Sequence, residues 1–145
     1  MSEEIQGGEV IRGKGIVKGI AEGEALVFQK AFSFLGDVDM DTSEIIAKGH
    51  EHEGVPIAGK VMIFPESKGS SGGCVVLSVL HKQGKQPAAI VNLKMADYNL
   101  VEGAILSKVP VICLPERDPR ECIATGDLVR VDGAEGTIVW ERREM

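Results

Sequence analysis

The sequence has few of the residues that a metal or redox site needs. Its three cysteines, Cys74, Cys113 and Cys122, stand far apart and form no C-x-x-C pair. This spacing argues against a zinc site, a redox dithiol or a self-contained iron–sulfur cluster. We therefore expect buried or half-buried thiols and no metal bound by this chain.

Aromatic residues and positive charges are also scarce. The 145 residues include four Phe, one Trp and one Tyr, too few for a platform on which bases could stack. Lys and Arg number 16 against 22 Asp and Glu, which gives a formal net charge of -6. Nucleic acid is therefore not an expected partner.

Long hydrophobic runs are missing as well. No apolar segment approaches the ~20 residues that cross a bilayer, so no membrane span is expected. The first eight residues, MSEEIQGG, are polar and acidic and resemble neither a secretory signal nor a transit segment. We expect a cytoplasmic protein in which residues 1–8 are flexible.

What is present indicates one α/β domain over residues 1–145. Apolar residues make up 43% of the chain, and 18 glycines separate many short apolar runs, a pattern typical of strands and tight turns. Gly84 is the expected end of the first helix. Strands are predicted over 9–16, 24–28, 32–35, 61–64, 87–92, 109–114, 126–131 and 136–140, and helices over 71–83 and 97–107.

The stretch PESKGSSGG, residues 65–73, lies between a predicted strand and a predicted helix. A glycine-containing turn at a helix start directs backbone N–H groups towards an anion, which the helix dipole also favours. One of Ser70 and Ser71 can cap the helix, which leaves the other free to react. Gly69, Gly72 and Gly73 give a substrate room to approach the backbone.

Other motifs predict less. The order Lys68-Gly69-Ser70-Ser71 does not fit the G-x-x-x-x-G-K-[ST] pattern of a P-loop. His50 and His52 form an H-x-H pair in a polar stretch, which we interpret as a solvated loop rather than a metal site. The alternating aspartates of residues 37–41 indicate a turn, because the EF-hand pattern is incomplete.

Several segments together resemble the aconitase X swivel-domain family. They are GKGIVKGIAEGEA (13–25), FSFLGDVD (32–39), IAGKV (57–61), KGSSG (68–72) and TGDLVRVD (125–132). The resemblance covers nearly the whole chain. It implies a swivelling β/β/α three-layer domain, rich in strands, with two or three helices.

The family resemblance also implies a function. It identifies the chain as the small subunit of a two-chain hydro-lyase, active only with a large subunit that carries a [4Fe–4S] cluster. The implied reaction removes water from (R)-5-phosphomevalonate to give trans-anhydromevalonate phosphate, a step of an archaeal-type mevalonate pathway for isoprenoid synthesis. The serine of the family's K-G-S-[ST] loop, here Ser70, would be the proton acceptor, and Ser71 occupies the companion position.

The carboxylate and phosphate of such a substrate need donors. Lys68, the N–H groups of Gly69, Ser71 and Gly72, and the turn at Gly36 and Asp37 are the candidates of this chain for substrate binding. They lie in the motifs that carry the resemblance, and lysine and backbone N–H groups are common partners of anions.

Three alternatives remain open at this point. The chain could serve a hydroxyproline-type dehydratase, which uses the same kind of small domain. It could be a phosphocarrier of the related phosphohistidine fold, although that function needs a histidine just after the serines, where Gly72, Gly73 and Cys74 stand. It could also be an assembly module in which Ser70 only caps a helix.

Overall fold

The computed structural model describes residues 9–68 and 72–141, and in this part of the chain it has eight strands and three α-helices. The strands are β1 (Glu9–Arg12), β2 (Lys14–Val17), β3 (Ile20–Val27), β4 (Val61–Phe64), β5 (Ala89–Asn92), β6 (Val111–Cys113), β7 (Leu128–Asp132) and β8 (Thr137–Glu141). The helices are α1 (Phe34–Asp37), α2 (Gly72–Lys82) and α3 (Tyr98–Ser107), and Pro119–Glu121 forms a 3-10 helix.

The strands follow the order β1-β8-β7-β3-β4-β5-β6-β2. Strands β3, β4, β5 and β6 run parallel to one another. Antiparallel strands flank them: β7, β8 and β1 follow on the side of β3, and β2 pairs with β6 on the other side. The two outermost strands, β1 and β2, are separated in the chain by Gly13 alone. Because one residue joins them, the two edges of the sheet must come together, and the sheet curls round on itself.

Strand β3 connects the antiparallel and the parallel parts of the sheet. Its first part, from Ile20 to Glu24, pairs with β7, and its last part, from Ala25 to Val27, pairs with β4. The strand thus belongs to both halves of the structure. This sharing holds the antiparallel half against the parallel half.

Buried side chains form two cores, one on each face of the parallel strands. Along β4, Met62 and Phe64 belong to the core that includes residues of the helices, while Val61 and Ile63 belong to a second core with residues of β7 and β8. Alternation of this kind follows from the two-residue period of a strand. The order of layers is therefore sheet, sheet, helices, and the predicted β/β/α fold is confirmed.

Two of the predicted strands are wrong. The strand over residues 9–16 breaks at Gly13 into β1 and β2, which pair with different partners, β8 and β6. The strand over residues 32–35 is absent: Phe32 makes an isolated bridge to Ser67, and the chain then turns into α1. Ser33 explains the second error, because its side chain caps α1 by accepting from the Gly36 N–H.

The other predicted elements are confirmed with shifted ends. Helix α2 ends as expected near Gly84, which has φ +72° and donates to the His81 carbonyl at 3.0 Å. Asp97 is the N-cap of α3, since its side chain accepts from the Leu100 N–H. Within the ranges 9–68 and 72–141, no helix has the length and apolar character needed to cross a bilayer.

Candidate functional site

Loops and helix starts gather at the carboxyl edge of the parallel strands. Strand β4 leads into α2 through residues 65–71, which we call the glycine loop. Strand β5 leads into α3 through a short loop. In open α/β sheets this edge is where ligands usually bind, because the loops and the N-termini of the helices meet there. Of the predicted site residues, Gly36, Asp37, Lys68 and Gly72 belong to described segments at this edge.

The first part of the glycine loop is held from two sides. Phe32 donates its N–H to the Glu66 carbonyl at 2.9 Å and accepts from the Lys68 N–H at 2.6 Å. Ser67 donates from Oγ to Asp97 Oδ2 at 3.1 Å, and Asp97 also caps α3. The backbone up to Lys68 is therefore fixed between the start of α1 and the start of α3.

The far end of the loop is held by close packing. A Cβ added at Gly72 would lie 2.6 Å from the Leu35 Cβ, and one added at Gly103 would lie 2.7 Å from the Cys74 Cα. Both distances are shorter than carbon atoms tolerate. Glycine at these two positions thus lets the start of α2 fit between α1 and α3.

The turn that contains Gly36 and Asp37 is stabilised by reciprocal hydrogen bonds. The Ser33 N–H donates to Asp37 Oδ2 at 3.0 Å, and Ser33 Oγ accepts from the Gly36 N–H at 3.3 Å. The Asp37 carboxylate is thus bound to its own turn. The next turn is similar, since Asp39 Oδ1 accepts from the N–H groups of Asp41 and Thr42, which hold the pKa of Asp39 below its ordinary value.

A pocket of about 470 Å³ opens beside the turn that contains Asp37. It brings together two of the predicted substrate-binding residues, Asp37 and Lys68, whereas Gly36 and Gly72 are not among its lining residues. Its lining consists of Gln29, Lys30, Ala31, Asp37, Ala47, Lys48, Gly49, His50, Glu51 and Lys68. The volume lies in the range that small ligands occupy in proteins.

His50 and His52 are more enclosed than a solvated loop implies. Both rings are half-buried and lie edge-on against Phe28, with ring centres 5.6 and 5.1 Å away. The His52 ring bonds to the Val27 carbonyl at 2.6 Å, and His50 Nδ1 accepts from the His52 N–H at 2.9 Å. The segment is a loop with exposed residues on both sides of each histidine, as predicted, although the two rings themselves are partly enclosed.

Arg120 fixes the strand end that leads into the pocket. Its guanidinium donates to the carbonyls of Phe28 and Gln29, each at 3.2 Å, and pairs with Asp118 at 2.9 Å. The hydrogen bond from Arg120 is the main reason that the pKa of Asp118 lies below its ordinary value. The pair therefore holds the backbone just after β3 in place.

The cysteines have the environment that the sequence predicts. Cys113 is buried, and Cys74 and Cys122 are half-buried, all as free thiols. Burial raises the pKa of Cys113 and Cys122, which keeps both as thiols at neutral pH. Within the described ranges, no three His, Cys, Asp or Glu side chains lie close enough together to hold a metal ion.

Large apolar side chains are exposed around the same edge. Tyr98, the first residue of α3, is 93% exposed, and Leu35 in α1 is 55% exposed. We call Leu35, Val75, Met95, Tyr98 and Leu114 the apolar rim; each is about half exposed or more and belongs to a segment at the carboxyl edge. Exposed large apolar side chains also occur away from this edge, at Ile20, Ile105 and Leu106.

Gly69, Ser70 and Ser71 lie outside the described residues, so their predicted roles stay predictions. The structure describes the backbone on both sides of them, at Lys68 and Gly72. Sequence reasoning missed Lys30, Lys48 and His50 as pocket residues. The H-x-H spacing was the local signal that could have indicated an ordered pair of histidines. It allows the His52 N–H to donate to His50 Nδ1.

Comparison with known proteins gives a consistent family. The model of the aconitase X swivel domain matches residues 10–140. The phosphomevalonate dehydratase small subunit of Methanosarcina acetivorans is 41% identical over 128 residues, which are 88% of each chain. That of Methanocella arvoryzae is 45% identical over 128 residues, which are 88% of this chain and 96% of the other.

A solved structure shows the same fold. The crystal structure of holo-form aconitase X from Thermococcus kodakaraensis superposes with a TM-score of 0.84 at 36% identity, over 93% of this chain and 100% of the matched chain. The relatives are named as small subunits, and a small subunit implies a larger partner.

Proposed function

Because the chain belongs to the aconitase X swivel-domain family, we propose that it is the small subunit of a two-chain dehydratase that acts on (R)-5-phosphomevalonate. The reaction removes water and gives trans-anhydromevalonate phosphate. The observation that carries this proposal is the 41 and 45% identity, over nearly nine-tenths of the chain, to relatives named for this activity. The alternatives of a hydroxyproline-type dehydratase, a phosphocarrier and an assembly module have no comparable support.

Ser70 is the proton acceptor in this proposal. It follows β4 and stands two residues before α2, where backbone N–H groups at a helix start stabilise a negatively charged oxygen. As an alkoxide, Ser70 takes the proton from the carbon next to the substrate carboxylate. The electron pair of that C–H bond forms the new double bond, and the hydroxyl on the neighbouring carbon leaves.

Binding and orientation of the substrate fall to the surroundings of this loop. Lys68 supplies a positive charge, and the N–H groups of Gly69, Ser71 and Gly72 supply hydrogen bonds to anionic groups. The turn at Gly36 and Asp37 shapes the adjoining wall, and its carboxylate is neutralised in part by the Ser33 N–H. These assignments are supported by the chemistry of the groups and by their place in the motifs that carry the family resemblance.

The large subunit completes the site. We assign the [4Fe–4S] cluster that the family resemblance implies to the large subunit, where it would supply a Lewis acid for the leaving hydroxyl. We propose that this partner covers the apolar rim. We propose that the complex acts in the cytoplasm, because the charge of a phosphorylated substrate keeps it from crossing the membrane.

Reconstitution tests the proposed function. Water loss from (R)-5-phosphomevalonate is measured with this chain alone, with the large subunit alone under anaerobic conditions, and with both. We expect turnover only in the mixture. Full turnover by either chain alone, or no turnover in a mixture that forms a complex and contains its cluster, would refute the two-subunit dehydratase.

A further inference from the structure

We propose that the pocket described above holds the phosphate group of the substrate, through Lys30, Lys48 and Lys68, with His50 as a further hydrogen-bond donor. This inference rests on the proposed function, because it takes the substrate to be a phosphate ester. It adds three residues, Lys30, Lys48 and His50, to those that the sequence motifs indicate. The pocket consists of described residues only.

The charges that line the pocket favour an anion. The ammonium groups of Lys30, Lys48 and Lys68 make no hydrogen bond or ion pair within the ranges 9–68 and 72–141, and all three residues are exposed. The two acids of the lining are already engaged, since Asp37 accepts from the Ser33 N–H and Glu51 accepts from the Gln29 N–H at 2.8 Å. A net positive lining is unusual on a chain whose formal charge is -6.

The tautomer of His50 makes it a donor. Its Nδ1 accepts from the His52 N–H at 2.9 Å, so the proton of the neutral ring must be on Nε2. No hydrogen-bond partner of His50 Nε2 is found in the described part of the chain, and the residue lines the pocket. The ring is held by Phe28 and Phe32, with centres 5.6 and 6.1 Å away, so the donor is fixed before a ligand arrives.

The position of the pocket fits the two ends of the substrate. Lys68 lines the pocket together with Asp37, and it is the last described residue before Gly69, Ser70 and Ser71. The pocket therefore adjoins the segment that leads to Ser70 at Lys68. A substrate with its carboxylate end at the loop can place its phosphate, at the opposite end of the carbon chain, among the lysines.

A binding experiment tests the pocket without any turnover. The full chain, labelled with nitrogen-15, is titrated with inorganic phosphate at constant ionic strength, and amide shifts are compared with those caused by chloride. We expect saturable shifts in residues 29–31 and 47–50, lost in Lys30→Gln/Lys48→Gln and kept in the matched control Lys18→Gln/Lys82→Gln, which replaces two exposed lysines outside this pocket. Equal shifts with chloride, or equal shifts in both double variants, would overturn the inference.

Kinetics of the assembled complex separate this inference from the proposed function. In Lys30→Gln/Lys48→Gln, KM for 5-phosphomevalonate should rise about 10- to 100-fold while kcat stays within about twofold, because charge-assisted bonds to phosphate are lost. His50→Phe keeps an aromatic ring and should raise KM about threefold to tenfold. If the complex is active and KM is unchanged in the lysine variant, the phosphate pocket is overturned and the proposed function is not. If phosphate causes saturable amide shifts but the complex does not turn over 5-phosphomevalonate, the proposed function is overturned and the anion pocket is not.

Discussion

The two edges of the parallel strands are built in different ways. At the amino edge, where the β7–β8 turn meets the end of β2, backbone packs directly on backbone: a Cβ at Gly133 would overlap the Val17 carbonyl. At the carboxyl edge, Ser33, Ser67 and other polar side chains bond to nearby groups and leave lysines and apolar residues exposed. We infer that the packing at Gly133 contributes to stability, and that the carboxyl edge, which carries the predicted substrate-binding residues Asp37 and Lys68, contributes to binding.

The largest effect is expected from a substitution at the amino edge. Gly133→Ala should lower the free energy of unfolding by about 3 kcal/mol or more, because the new Cβ has no space beside the Val17 backbone. Gly54→Ala is the control: this glycine has φ +87° and no neighbour within 4 Å, so only the left-handed backbone costs energy, about 1 kcal/mol. Denaturant unfolding measures both. Equal losses would show that packing at the amino edge is not what stabilises the fold.

A smaller and different effect is expected at the start of α2. Gly72→Ala should reduce kcat of the assembled complex by about 10- to 100-fold, since contact with Leu35 would displace the backbone that follows Ser70. Gly84→Ala at the other end of the same helix, where φ is +72° and no neighbour lies within 4 Å, should lower stability but not kcat. Comparable loss of kcat in both variants would contradict a special role for the carboxyl edge.

The mildest change concerns assembly. Tyr98→Ser should raise the dissociation constant of the complex with the large subunit roughly tenfold, because an exposed aromatic ring of the apolar rim loses its contact. Leu106→Ser near the opposite end of α3 is the control and should change the constant by less than about twofold. Titration calorimetry measures both affinities. A larger effect at Leu106 than at Tyr98 would place the partner at the amino edge.

Much of the fold could be predicted from the sequence because its signals are local. The apolar run at Val61–Phe64, the glycine that ends α2 and the Asp97 cap all act within a few residues. The break at Gly13 could not be predicted, since it depends on β8 and β6, which lie more than 90 residues further along the chain. The error at residues 32–35 was avoidable, because Ser33 is a helix-capping residue.

The candidate site was predicted only in part for a similar reason. The motifs indicated Lys68 and Asp37, and the structure places both at one pocket. Lys30 and Lys48 reach that pocket from separate loops, and no spacing in the sequence connects them. Substrate binding by Asp37 stays a prediction, and only the folded turn reveals that its carboxylate accepts from the Ser33 N–H.

The most direct measurement of the central claim is the turnover of Ser70→Ala in complex with the large subunit, alongside its thermal stability and cluster content. If Ser70 accepts the proton, kcat should fall by about two to four powers of ten while Tm, assembly and cluster content stay unchanged. Ser71→Ala is the matched control and should retain most of the activity. Near-normal kcat in Ser70→Ala, with a stability loss of about 1 kcal/mol, would show that Ser70 is only a helix cap and would contradict the account.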